Sequence, residues 1–80
     1  MSKYQPLASY VLTSGLSEIR LRFSDIERLL GEALPPSARK YNAWWSNTLS
    51  HPIGIALAEA GLRTRALDLA GGAITIHRER

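Results

Sequence analysis

The hydrophobic pattern changes period several times along the chain, and each change marks an element. In Pro6-Leu7-Ala8-Ser9-Tyr10-Val11-Leu12, apolar side chains recur at Leu7, Tyr10 and Val11. That is the i, i+3, i+4 stripe of a helix opening on a proline, and Ser14-Gly15 ends it. Glu18-Ile19-Arg20-Leu21-Arg22-Phe23 alternates strictly. It predicts a half-buried strand with Ile19, Leu21 and Phe23 on one face and Arg20 and Arg22 on the other. Ser24-Asp25-Ile26-Glu27 has the S-x-x-E form of a capping box and predicts a second helix through Leu30, stopped by Gly31. Pro35-Pro36 opens a third helix, expected to run to about Asn47. Ser50 is placed to cap a fourth, Pro52 to Ala60, which is apolar almost all round and therefore central. Gly61 closes it. Beyond it, Leu67 and Leu69, then Ile74 and Ile76, alternate as a hairpin turning at Ala70-Gly71-Gly72-Ala73. Arg63 and Arg65 share the parity of Leu67, so this strand either carries a bulge or extends beyond the core.

The resulting order is helix, strand, helix, helix, helix, hairpin. With one helix discounted, this is the order of a winged helix-turn-helix. The expected fold class is α+β: four short helices and a three-stranded antiparallel sheet made from one strand plus the C-terminal hairpin. Eighty residues give one domain, 1–80, with no room for a second core.

The third helix gathers the most chemistry. Both tryptophans, Tyr41 and the Arg39-Lys40 pair lie between Leu34 and Asn47. On a helical wheel Ala38, Tyr41, Trp45 and Leu49 share a narrow sector, which makes them core residues. Arg39, Ala43, Ser46 and Asn47 lie opposite, with Lys40 at their edge and Trp44 on the border, partly exposed. Arg39, Ala43 and Asn47 follow i, i+4, i+8 along one edge. Such an edge suits a DNA major groove: Arg39 for guanine or phosphate, Asn47 for adenine, Ser46 and Lys40 for phosphates, and small Ala43 for close approach. The same rings also serve as plain core anchors, with Arg39 and Lys40 solvated.

The function classes narrow by what is missing. There is no cysteine, so neither a disulfide framework nor a thiolate metal site exists. The two histidines, His51 and His77, lie far apart without a carboxylate cluster, and no serine sits in a Gly-x-Ser-x-Gly elbow. Gly71-Gly72 is too short to cradle a phosphate. An enzyme, a cofactor, a metal and a small-molecule substrate are therefore not expected. No apolar run reaches membrane-spanning length and the first residues are interrupted by polar ones, so the expected location is cytoplasmic.

Net charge is +3, and eight of the ten cations are arginines, the side chain suited to bidentate phosphate contacts. A second basic set, Arg20, Arg22, Arg63, Arg65 and Arg78, falls on or beside strands. The expectation is a small sequence-specific DNA-binding protein of winged-helix type, a transcriptional regulator. The third helix and Trp44 would meet double-stranded DNA, Arg20, Arg22, Arg63 and Arg65 would grip phosphates, and two copies would act as a homodimer. The alternative is a protein-interaction module built on an exposed Trp44.

Lys3-Tyr4-x-Pro6-Leu7, Phe23-x-x-Ile26-Glu27, Leu34-Pro35-x-Ser37-Ala38-Arg39 and Trp44-Trp45-x-Asn47 together resemble a small domain of uncharacterised bacterial and phage proteins. That domain occurs alone or beside nuclease and restriction-type domains. The resemblance spans nearly the whole chain, and Ser-Ala-Arg followed by Trp-Trp-x-Asn is its most specific part. It implies a DNA-reading module. The fourth helix departs from the pattern, which carries aromatics near Leu57 and at Leu62.

Overall fold

Apolar alternation in Glu18–Arg22 (β1) and in the C-terminal strands Leu62–Asp68 (β2) and Ala73–Arg78 (β3) builds one antiparallel sheet in the order β1-β3-β2. The structure is a computed structural model and describes residues 3–79. Ile19 pairs with Ile76 and Leu21 with Ile74, so the apolar residues of β1 and β3 share the inner face. Four helices pack there: Gln5–Thr13 (α1), Phe23–Leu30 (α2), Pro36–Lys40 (α3) and Pro52–Glu59 (α4). The α+β class and the three-stranded antiparallel sheet agree with the sequence expectation, and the arrangement is compatible with a small winged-helix-like fold.

Several local expectations need correction. The helix foreseen from Pro36 to Asn47 is two pieces. α3 ends at Lys40, Tyr41 is extended (φ −123°, ψ 127°), and Asn42–Trp45 forms a separate 3-10 turn. A continuous helix would point adjacent Trp44 and Trp45 about 100° apart, so one ring would face solvent. The break buries both, leaving them 6% and 2% exposed. Burying an indole removes roughly 200 Å² from water, about 5 kcal/mol. An unbroken helix through Tyr41, Asn42 and Ser46 would gain only tenths of a kcal/mol per residue, so ring burial wins. Tyr41 and Leu49, expected in the core, are instead exposed at 59% and 71%. Tyr10 also faces solvent, while Leu7, Ala8 and Val11 form the buried stripe of α1.

α2 starts one residue before the expected capping box. Arg22 is its N-cap, and the Asp25 carboxylate accepts the Arg22 backbone N–H at 3.0 Å. Ser24 is an exposed first-turn residue, and Glu27 is released to hold the next segment. Its carboxylate accepts the Leu34 backbone N–H at 2.8 Å and pairs with Arg39 at 3.0 Å. Gly31 stops α2 in the left-handed conformation as expected (φ 77°). His51, not Ser50, precedes α4, with no side-chain cap.

The parity conflict in β2 resolves as a bulge. Register shifts between Arg65 and Asp68, and Ala66 adopts φ 53°. Arg63 and Arg65 thereby face outward while Thr64 faces in.

Gly54 and Glu27 each sit at a join between elements that a single substitution disturbs. A Cβ on Gly54 would collide with the Thr48 carbonyl in the loop leading to α4. Gly54→Ala should therefore destabilise the protein by about 1–3 kcal/mol, although alanine is the better helix former. Urea denaturation monitored by tryptophan fluorescence measures this, and a stabilised variant would contradict the collision. The Leu34 N–H bond, followed by Arg39, holds the Glu27 carboxyl below the usual carboxylate range. A lowered folded-state pKa gives stability that is present above the ordinary glutamate value and is lost as pH falls through the lowered one. The stability margin of the parent over Glu27→Gln should be full at neutral pH and vanish in acid, as read from denaturation at a series of pH values.

Candidate nucleic-acid interface

The inner sheet face is filled by Leu21, Leu62, Ile74 and Ile76, so the strand pleat sends the intervening residues outward. Arg20, Thr75 and Arg65 lie side by side across β1, β3 and β2. Glu18, His77 and Arg63 form the next row, and Arg22 stands opposite Ala73. Four arginines and a histidine thus share one face with the carboxylates of Glu18 and Glu79. Thr75 is its floor: the Arg20 guanidinium donates to the Thr75 hydroxyl at 2.8 Å and reaches across to the Ala66 carbonyl at 2.9 Å. The bulge therefore orients Arg20 as well as flipping the parity of β2. Arg65 pairs with Glu18, and Arg63 with Glu79 at 3.9 Å. Among the described residues the Arg22 side chain has no ionic or hydrogen-bond partner.

The other expected set does not assemble. Arg39 lies in the last turn of α3, paired with Glu27, its guanidinium 5.5 Å from the Phe23 ring centre. Lys40, the next residue, is exposed and without a partner among the described residues. Ala43 is exposed on the separate 3-10 turn. The Ser46 hydroxyl donates to the Ala43 carbonyl at 2.7 Å. Trp44 is not a surface ring: it meets Trp45 edge-on at 4.7 Å and Tyr4 at 5.8 Å. Asn47 is committed to the sheet. Its Nδ2 donates to the Thr64 carbonyl at 2.9 Å and its Oδ1 accepts the Thr64 N–H at 2.7 Å, so the carboxamide mimics a neighbouring strand along β2. The i, i+4, i+8 edge of Arg39, Ala43 and Asn47 does not exist, because the chain turns at Tyr41.

Arg78 is also a structural residue. Its guanidinium donates to the carbonyls of Leu16 at 3.0 Å and Leu12 at 2.8 Å, satisfying the C-terminal end of α1. The helix immediately before β2, the position of a recognition helix in a winged fold, is α4. Its outward residues Ile55, Ala58 and Glu59 carry no donor for a base edge. His77 was missed from the sequence, although its parity with Thr75 and against Ile74 and Ile76 places it outward. The exposed aromatic anchor of the protein-interaction alternative is likewise absent, since Trp44 is buried.

No curated protein and no solved structure matches the chain. A family model described as a domain of unknown function, DUF7662, matches residues 4–79. The match takes in every element of the fold, and the chain belongs to the DUF7662 family.

Proposed function

We propose that this domain binds double-stranded DNA through the outer face of its sheet, by contact with the phosphate backbone. The observation that carries the reading is the convergence of Arg20, Arg22, Arg63 and Arg65 on one open face, from two strands that are neighbours only through β3. Arginine supplies a planar fork of donors that matches phosphate oxygens. Arg22 is unengaged, and the exposed pairs of Arg63 and Arg65 are of a kind that contributes at most about 1 kcal/mol, so a polyanion can compete for them. The resemblance to domains found beside nucleases points in the same direction. Base-edge reading and transcriptional regulation are not part of the proposal, because Asn47 and Arg39 are spent on internal contacts and α4 is apolar.

Salt provides the test. A labelled duplex titrated between about 50 and 200 mM salt should give a log–log slope near −3.6, roughly 0.9 per phosphate for four contacts. Arg22→Ala and Arg63→Ala should each lower the magnitude of that slope by about one. Lys40→Ala, away from the face, should leave it unchanged. Slopes unaltered by both arginine substitutions would remove the sheet face from the reading, and binding indifferent to salt would favour a protein partner.

A further inference from the structure

The two edges of the sheet are treated differently. At β2 the outward-pointing backbone groups of Thr64 are both taken by the Asn47 carboxamide, and the bulge follows directly. That edge is blocked at Thr64, and Leu62, the other residue directed outward there, is buried. At β1 the Phe23 N–H donates to Gly72 and Ser17 accepts from Arg78, so the odd-numbered residues of this strand bond to β3. Glu18, Arg20 and Arg22 must then direct their N–H and C=O groups away from the sheet. The Arg22 N–H is covered by Asp25. The N–H and C=O groups of Glu18 and Arg20 have no partner among the described residues. Beside them runs a groove of about 470 Å³ lined by apolar Tyr10, Ile19, Leu21 and Leu29 together with Arg20, Asp25 and Arg28.

We propose that a second copy of this chain pairs antiparallel along β1, about a two-fold axis through Ile19. In this register Glu18 of each copy stands opposite Arg20 of the other, and each such pair exchanges two backbone hydrogen bonds. All four open groups of each edge are satisfied. Charge complementarity selects this occupant. Charged residues normally blunt an exposed edge, but Glu18 and Arg20 have opposite sign and flank the axis symmetrically. Directly opposed side chains lie about 5 Å apart, close enough for both pairs to be attractive. Neither residue is saturated: Glu18 uses Oε1 for Arg65 and keeps Oε2, while Arg20 uses Nη1 and keeps Nε and Nη2. Ile19 meets Ile19 of the second copy on the groove side, extending the apolar lining across the axis. The two sheets would form one of six strands. This pairing needs no nucleic acid, so it stands or falls separately from the proposed function.

Sedimentation equilibrium without DNA tests it. The parent chain should show a dimer mass. Glu18→Arg sets arginine against arginine at both contacts, and Arg20→Glu sets glutamate against glutamate, so each variant alone should dimerise about tenfold or more weakly. Mixed together, the two variants restore opposite charges at both contacts, and the dimer should return. Circular dichroism checks that each variant is folded. A parent that remains monomeric at high micromolar concentration overturns the proposal and leaves the edge to a foreign strand. Dimers that persist undiminished in either variant, or a mixture that fails to reassociate, overturn it equally.

Discussion

Everything in this small domain is arranged around the Trp45 indole. Its ring stacks on Phe23 at 4.8 Å and meets Trp44 edge-on, and Tyr4 continues the row. Its Nε1 donates to the Ala38 carbonyl at 2.6 Å, and the Trp45 backbone carbonyl accepts the Thr64 hydroxyl at 2.5 Å. One residue thereby fixes the end of α3, the start of α2 and the inner face of β2. A chain of this length buries too small a fraction of its surface for stability to be spread thinly. An aromatic row contributes more per residue than aliphatic packing would. The short α3, far below the length at which an isolated helix is stable, persists because Ala38 is buried against this row.

The same constraint explains which parts of the fold were legible in the sequence. Strict alternation in β1 and the paired isoleucines of β3 depend on one face being buried, a local rule that needs no knowledge of the partner strand. Gly31 was readable because a left-handed stop is a property of one residue. The bulge could be anticipated as one of two outcomes, since Arg63 and Arg65 could not share the parity of Leu67 without it. The third helix was misread because a helical wheel presumes continuity. Continuity was decided by the burial of two adjacent rings, which no wheel represents. Asn47 was misread for a related reason: its partner, Thr64, is 17 residues away, and only the folded sheet edge shows why a carboxamide is required there.

Asn47 separates residue type from residue role. Arginine and asparagine at helical spacing are the side chains that read bases, but they also terminate helices and close sheet edges. Arg78 satisfies the end of α1, Arg39 steadies Glu27, and Asn47 finishes β2. These tasks are internal, and each uses donors that a ligand would otherwise meet. Composition counts them all alike, which is why a net charge of +3 said less than the parity of a few strand positions.

What distinguishes the engaged cations is how much holds each one in place. Arg39 is anchored through a carboxylate that a backbone N–H also holds, beside an aromatic ring, so withdrawing it would disturb the junction of α2 and α3. Arg63 and Arg65 contact carboxylates that are themselves half exposed on the sheet surface, where solvent already screens the attraction. Arg20 occupies an intermediate place. Its bonds to Thr75 and Ala66 fix its direction without neutralising its charge, because both acceptors are uncharged. A cation oriented by neutral acceptors keeps its field while losing little further side-chain entropy when an anion arrives. By that physical criterion the outer face of the sheet is where several arginines together keep their charge available to a partner, whereas the tryptophan-bearing segment offers only Lys40.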